Sequence, residues 1–365
     1  MRSFALCSLC ALLFGCGGDG SGNADGAGDA GPPKALPRGV FESAGPVRDP
    51  LQDTVSRTAR IPGQDGVLVR LDWDLCGDDE ECLFDSIAVN LDAAQAIGLT
   101  VALGISDGDG APPAVKAQCA TFEFTFAGSP RTMCLPWDPD YVAAKRAFVQ
   151  RLGARFDAHP GLGYVYFTGA CSTNGFEGHC RVDESAFVAA GYTESRLSDA
   201  YVSIMDAYVD AFPTTPIAFE AHALFDSATV WEAVWQSVAS TGRVGVAAWW
   251  CSERLSVRGG DTLPVVPLLV AAAEQSFTVC QTVGNMTNDP SSFSDAVLGL
   301  DYGTAGATDA SDSANAFADT TAWASGDAVH AGQSANFPEF DVLEAWTVDV
   351  ENPAFAARLS TYPDP

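Results

Sequence analysis

From residue 39 onward, short apolar runs alternate with longer amphipathic stretches. The runs are rich in Val, Ile and Phe, and their lengths are typical of β-strands. They predict eight strands, at 39–42, 67–74, 100–106, 163–168, 216–222, 244–250, 277–281 and 340–348. Apolar residues at three- and four-residue spacing predict helices at 86–97, 141–156, 197–212, 228–239 and 265–273. Asp85 and Asp138 stand where helix N-caps are expected.

Eight strands with intervening helices over about 325 residues predict an α/β protein with a single (β/α)8 barrel. We expect this barrel domain to occupy residues 37–365, with long loops in the Asp-, Ser-, Ala- and Gly-rich region 286–335. An open, doubly wound sheet is the alternative. That fold is expected to carry a Gly-rich phosphate-binding turn after its first strand, and none is visible.

The first 36 residues predict export rather than folded structure. Arg2 precedes an apolar stretch at 4–14 that is too short to span a bilayer. The stretch ends in Leu-Phe-Gly-Cys16, which resembles a bacterial lipobox, the signal in which the Cys becomes lipid-modified. Because Gly17 follows, we expect a lipid anchor in the outer membrane or at the cell surface, and an ordinary cleaved signal is the alternative. Residues 17–36 predict a flexible Gly- and Asp-rich tether.

Eight of the 11 cysteines follow Cys16, and an even number in an exported chain favours disulfides. Pairing of sequence neighbours is the simplest arrangement: Cys76 with Cys82, Cys119 with Cys134, Cys171 with Cys180, and Cys251 with Cys280. A zinc site is the alternative. It is disfavoured because no CxxC pair occurs and only 4 His are present, so no metal is expected.

The chain carries 47 acidic and 19 basic residues, a net charge of -28. A surface of this sign repels phosphate backbones, so nucleic acid is excluded as a partner. Phosphoryl-transfer chemistry is disfavoured for the same reason, because it needs clustered Lys or Arg. Neither a GxSxG elbow nor an HExxH motif occurs, which disfavours serine hydrolases of that type and zinc proteases.

Active residues of a (β/α)8 barrel come from the C-terminal ends of its strands. The predicted strand ends supply Glu42, Arg70, Asp72, Trp73, Asp74, Asp107, Asn174, Glu177, His179, Glu220, His222, Trp249, Trp250, Glu253, Gln281, Asn285, Glu344, Trp346 and Asp349. Paired carboxylates cleave glycosidic bonds, and Trp rings stack on sugar faces. This set therefore predicts a glycosidase that acts on carbohydrate, needs no cofactor and meets the membrane only through its lipid anchor.

Two stretches carry a family resemblance that covers about residues 60–185. GVLVRLDWDLCGDDEECLFDSIAVNLDAAQAIGLTVALGI resembles strand two to strand three of clan A glycoside hydrolases, nearest to the family 42 β-galactosidase type. WDPDYVAAKRAFVQRLGARFDAHPGLGYVYFTG continues the likeness into strand four. The following NGFEGH is similar to the segment that holds the general acid/base of that family.

The resemblance implies that Glu177 is the acid/base and that Arg70 steadies the nucleophile. It also exposes a departure, because the family nucleophile is a Glu on strand seven and this chain has Gln281 there. The second carboxylate is then Glu344, Glu220 or Glu253, although the first two are equally able to pair with Arg70. Substrate contacts are expected from Asp72, Asp74, Asn174, His179, His222, Trp249, Trp250, Gln281 and Trp346. The alternatives are a non-catalytic glycan-binding lipoprotein and a calcium-stabilised surface scaffold.

Overall fold

The computed structural model describes residues 31–58, 61–171, 177–178, 180–251, 264–282 and 340–353, with positions 356, 359, 360 and 362. For Trp250, Cys251 and Thr282 only the backbone is described. From Pro32 onward these residues belong to one unit, Pro32–Pro365. Within the described ranges, no helix is both long and apolar enough to cross a bilayer.

Eight parallel strands close into a barrel, which confirms the predicted fold. The barrel strands are β1 (Gly39–Ser43), β2 (Gln64–Asp72), β3 (Thr100–Ser106), β6 (Leu162–Phe167), β7 (Ile217–Glu220), β8 (Val244–Cys251), β9 (Thr278–Thr282) and β10 (Val342–Trp346). Around the barrel their order is β1, β10, β9, β8, β7, β6, β3 and β2. The strands follow one another in sequence around the ring, as expected when each strand is followed by a helical crossover.

All five predicted helices are present, and the described part of the chain contains three further short α-helices that were not predicted. The helices are α1 (Glu80–Ala96), α2 (Pro113–Lys116), α3 (Pro139–Phe156), α4 (Glu184–Ala189), α5 (Glu194–Ala211), α6 (Thr229–Val238), α7 (Val266–Gln275) and α8 (Thr347–Val350). The eighth strand was predicted to run to residue 348, which is wrong, because the backbone turns into α8 directly after Trp346.

An antiparallel hairpin between β3 and α3 also escaped prediction. It consists of β4 (Thr121–Phe126) and β5 (Ser129–Cys134). Most of its residues are exposed or half-buried, so it lacks the continuous apolar run that marks the barrel strands. A disulfide between Cys119 and Cys134 closes its base.

Three of the predicted disulfides form, joining Cys76 to Cys82, Cys119 to Cys134, and Cys171 to Cys180. Cys280 is disulfide-bonded as well. The side chain of its predicted partner, Cys251, lies outside the described residues.

The barrel has an apolar layer on each side of its wall. Outward-facing strand residues pack with the helices into the main core. Inward-facing residues form a second cluster of Phe41, Leu68, Ala102, Tyr164, Tyr166, Ala218, Ala247, Trp249, Phe277, Val279 and Val342. Large rings fit there because small residues face them. A Cβ at Gly66 would collide with the Phe41 ring.

Candidate functional site

Glu344 lies inside the barrel on β10 and is 0% exposed. Its Oε1 accepts hydrogen bonds from the hydroxyls of Tyr164 and Tyr166, each at 2.7 Å. Its Oε2 accepts one from Nε2 of Gln281 at 2.9 Å. Register explains the last contact, since Glu344 and Gln281 stand opposite each other on β10 and β9. Three donors from two other strands thus hold one carboxylate in a single orientation.

Burial raises the pKa of Glu344, and the hydrogen bonds from the two tyrosines and Gln281 oppose that rise. The charge of Arg70 opposes it further. The result is a desolvated carboxylate surrounded by oriented dipoles. Such a group interacts strongly with positive charge that develops beside it, because little water screens it.

Glu220, at the end of β7, organises a second group of polar side chains. Its Oε1 is 3.0 Å from Nδ1 of His222, and its Oε2 accepts a hydrogen bond from the backbone N–H of Gly178. The backbone N–H of Trp249 reaches Oε1 at 3.4 Å, and Nε1 of the same Trp donates to the Tyr166 hydroxyl at 3.4 Å. Trp249 and Tyr166 therefore connect the Glu220 group with Glu344 through contacts inside one barrel.

Glu177 lies beside Glu220, in the segment after β6. A disulfide joins Cys171 to Cys180, one on each side of Glu177 in the sequence. The hydrogen bond from the backbone N–H of Gly178 connects the same segment to Glu220. Oε2 of Glu177 lies 3.6 Å from a guanidinium nitrogen of Arg181. Arg181 in turn lies over the Phe126 ring of the β4–β5 hairpin, 6.0 Å from its centroid. The hairpin thereby borders the site.

The pKa of His222 depends on both Glu220 and Glu177. Burial alone lowers the pKa of His222, but the charges of Glu220 and Glu177 and the Glu220 hydrogen bond outweigh burial and leave that pKa raised. Arg181 opposes the rise. The protonated ring is thus favoured between two carboxylates.

Asp72 and Asp74 both stand on the β2 side of the mouth, but only Asp72 belongs to the strand. Strand prediction to residue 74 was wrong, because the chain turns after Asp72. Burial raises the pKa of each carboxyl. Nζ of Lys116 lies 3.9 Å from Asp74. This side of the mouth thus holds two partly desolvated acids.

Arg70 is held by contacts other than Glu344. Its Nη2 donates to the carbonyl of Ala44 at 2.5 Å, and its guanidinium lies 5.1 Å from the ring centroid of Trp346. Burial lowers the pKa of Arg70 to about 10, and the charge of Glu344 opposes that change. Arg70 and Glu344 thus influence each other by charge, with no ion pair between them in the described structure.

Two predicted strand-end acids face away from the barrel interior. Glu42 lies between the wall and the helices, where it accepts a hydrogen bond from Thr347 at 2.7 Å. Asp107 forms a buried ion pair with Lys145 of α3 at 2.7 Å. Both face the helix layer, so neither contributes to the interior group.

Cys16, Asn174, His179, Glu253 and Asn285 lie outside the described residues, as does the side chain of Trp250. Asp349 lies buried in α8.

Sequence reasoning missed the two tyrosines that hold Glu344. Tyr164 and Tyr166 belong to a run that was interpreted as an apolar strand, and their spacing of two was the available signal, since it puts both rings on one face. The role of their hydroxyls follows only from the tertiary structure, in which β10 places the Glu344 carboxylate in the same barrel interior.

A separate cavity lies on the outer flank, between α3 and α5. Its volume is about 610 Å³, and Trp137, Arg146 and Arg196 are among its lining residues. None of the strand-end residues lines it. The carboxylate-bearing mouth is the better candidate because chemistry in this fold comes from strand ends.

No family model matches the sequence, and no curated protein matches it. Solved structures with a similar fold include glycoside hydrolases. Endo-glycoceramidase II from Rhodococcus sp. shares 12% identity over 87% of this chain and 76% of its own, with a TM-score of 0.45. An exo-β-1,4-mannosidase from an Opitutaceae bacterium shares 12% identity, with a TM-score of 0.47; the match covers 89% of this chain and 55% of the mannosidase.

A D-allulose 3-epimerase from Methylomonas sp. is similar to a comparable degree, with 12% identity over 86% of each chain and a TM-score of 0.41. Barrels with different activities thus match at this level. The matches show the barrel fold and assign no activity.

Proposed function

We propose that this protein is a glycoside hydrolase that binds carbohydrate at the C-terminal mouth of its barrel. In this proposal Glu344 attacks the anomeric carbon of the sugar or stabilises the positive charge that develops there, and Glu177 donates a proton to the leaving oxygen. Glu220 and His222 position the Glu177 segment. The likeness of residues 60–185 to the family 42 β-galactosidase type supports the assignment of Glu177.

The arrangement around Glu344 carries the proposal. A carboxylate buried in a barrel core costs free energy that an apolar residue of similar size would not. This one is nevertheless oriented by Tyr164, Tyr166 and Gln281. Glycosidase transition states have oxocarbenium character, and a desolvated, preorganised carboxylate stabilises such positive charge. Costly burial with full preorganisation is typical of functional sites.

The decisive experiment measures both the activity and the stability of the Glu344→Gln variant. We expect turnover of aryl glycosides and polysaccharides to fall at least about 1,000-fold, since one of two essential carboxylates is lost. We also expect the melting temperature to stay equal or rise, because a buried charge is removed while the side-chain shape is kept. Glu42→Gln is the matched control, because Glu42 is an equally buried strand carboxylate on the outer face.

A panel without any turnover by the wild type would refute the enzyme assignment. So would a Glu344→Gln variant that melts well below the wild type and retains activity, since that result would make Glu344 a structural residue.

A carbohydrate-binding protein without catalysis is the second candidate. It is favoured by Gln281, which stands where the resembling family has its nucleophile, and which donates to Glu344. This candidate predicts that wild type and Glu177→Gln bind the same sugars and that neither cleaves them. Isothermal titration of both proteins against the panel separates the two functions.

We also propose export as a lipoprotein anchored through Cys16, which fits the disulfides of the barrel. Metabolic labelling with a fatty-acid analogue in a bacterial host should mark the wild type and leave Cys16→Ser unlabelled. Equal labelling of both proteins would contradict the anchor.

A further inference from the structure

Two buried hydrogen-bonding atoms without partners mark one corner of the barrel mouth. Oγ of Ser43 and Nε of Arg70 are shielded from solvent, and neither has a hydrogen-bond partner in the described structure. Ser43 as a whole is 1% exposed. An unsatisfied buried polar atom costs about 1–3 kcal/mol, and native proteins leave few of them. A ligand with acceptor oxygens would regain this free energy on binding.

The two atoms belong to neighbouring strands and to the same face. Ser43 stands opposite Leu68 of β2 and opposite Trp346 of β10. Arg70 follows Leu68 by two residues, so its side chain shares the inward face. The Trp346 ring lies against the Arg70 guanidinium. Ser43, Arg70 and Trp346 therefore line one place, which we call the Ser43 corner.

A second arginine stands at the outer edge of the Ser43 corner. The backbone N–H of Val47 donates to the carbonyl of Arg70 at 2.8 Å, which brings the following Arg48 beside β2. Arg48 is exposed, and its charge lowers the pKa of Arg70 further. No carboxylate forms an ion pair with Arg48 within the described ranges. Two like charges are thus kept close together without a shared counter-ion.

Two acids lie close enough to interact by charge with these arginines. Burial raises the pKa of Asp72 and of Glu344; the charge of Arg48 opposes the rise at Asp72, and the charge of Arg70 opposes it at Glu344. An anionic group is favoured here by the two unpartnered donors of Ser43 and Arg70 and by the exposed charge of Arg48.

We propose that the Ser43 corner binds the anionic group of an acidic sugar, a carboxylate of a uronic acid or a sulfate ester. Arg70 Nε and Ser43 Oγ donate hydrogen bonds to its oxygens, and Arg48 supplies charge from the solvent side. The inference rests on the proposed carbohydrate function and specifies the substrate class. The chain carries -28 overall, but charges beyond about 8 Å are screened at physiological salt, so the local arginines decide binding.

Isothermal titration in a Glu177→Gln background, which prevents turnover, tests the Ser43 corner. The probes are the methyl glycosides of glucuronic and galacturonic acid, those of glucose and galactose, and glucose 6-sulfate. We expect an acidic sugar to bind at least about 10-fold more tightly than its neutral counterpart, as charge-assisted hydrogen bonds allow. This preference should shrink in 0.5 M NaCl. Binding of uronates alone identifies a carboxylate site, and binding of glucose 6-sulfate as well identifies a general oxyanion site.

Variants assign the preference to these residues. Arg48→Gln should reduce the preference about 5-fold, and Ser43→Ala should weaken acidic-sugar binding about 3- to 10-fold. Arg38→Gln is the matched control, because Arg38 is an exposed arginine paired with Asp341 near the start of β1. Ser43→Ala should not lower the melting temperature, since the hydroxyl that it removes has no partner in the described structure.

Equal affinity for acidic and neutral sugars, or a preference that survives both variants, overturns the Ser43 corner as an anion site. The glycosidase proposal then still stands if neutral glycosides are cleaved. Absence of binding by every probe also overturns the Ser43 corner, and the turnover panel decides the glycosidase proposal by itself.

Discussion

At the scale of single residues, the function of a carboxylate in this barrel depends on its partners more than on its identity. Glu344, Glu220 and Glu42 are all buried carboxylates at or near strand ends. Glu344 collects donors from the barrel interior, Glu220 fixes a backbone segment and an imidazole, and Glu42 bonds a hydroxyl in the helix layer. Strand parity separates Glu42 from the other two.

The pKa of His222 provides a test of the Glu220 group. Glu220→Gln should lower that pKa, because burial then acts with less opposing charge. An NMR titration of the imidazole signals measures the shift. Since the folded-state pKa is raised, His222 contributes stability that is complete below its unfolded value of about 6.5 and is lost as pH rises through the folded value. A pKa that does not change in Glu220→Gln would show that the contact contributes little.

At the scale of elements, the sequence predicted the centres of the helices more accurately than their ends. The predicted N-cap at Asp138 is confirmed, since its side chain accepts from the N–H groups of Asp140 and Tyr141. The predicted cap at Asp85 is wrong. Helix α1 begins earlier, where Asp79 accepts from the N–H of Cys82. The segment before Asp85 lacked apolar periodicity, because it carries acidic residues and a disulfide cysteine.

These two aspartates form a matched pair. Asp79→Ala should lower the free energy of unfolding by about 0.5–2 kcal/mol, because it removes an N-cap. Asp85→Ala should change it by less than about 0.5 kcal/mol, since it removes only an exposed ion pair with Arg155. Urea unfolding of both variants measures the difference. Equal losses would mean that the helix start has been misassigned.

At the scale of the whole molecule, one buried ion pair joins three elements below the mouth. Lys145 of α3 contacts Asp107 after β3 at 2.7 Å and donates to Thr168 after β6 at 3.1 Å. Tyr141 donates to Asp107 at 2.9 Å, and Thr168 donates to the carbonyl of Ile105 at 2.7 Å. The ends of β3 and β6 are thereby fixed to the same helix, which supports the segment that carries Glu177.

Breaking this ion pair should be costly, and replacing it should not. Lys145→Met and Asp107→Leu should each reduce the free energy of unfolding by about 3–5 kcal/mol, because each leaves a buried charge without its partner. The double variant should be markedly more stable than the sum of the two losses predicts. Urea unfolding of the four proteins gives the coupling energy. Additive losses would show that the two charges act independently.

The sequence by itself determined the barrel, because eight buried parallel strands leave apolar runs of strand length at regular intervals. It also predicted pairing of neighbouring cysteines, which three disulfides confirm, and it placed Glu344, Glu220 and Arg70 among the strand-end residues. It missed the β4–β5 hairpin, whose exposed strands carry no comparable apolar run.

Only the tertiary structure decided which candidates meet. Tyr164, Gln281 and Glu344 are far apart in the sequence and come together because β6, β9 and β10 face one interior. The unsatisfied atoms of Ser43 and Arg70 are likewise a property of the closed barrel. A pattern along the chain shows whether a residue prefers burial. It does not show which side of the barrel wall its side chain faces or which hydrogen-bond donors lie there. Those follow from register and closure.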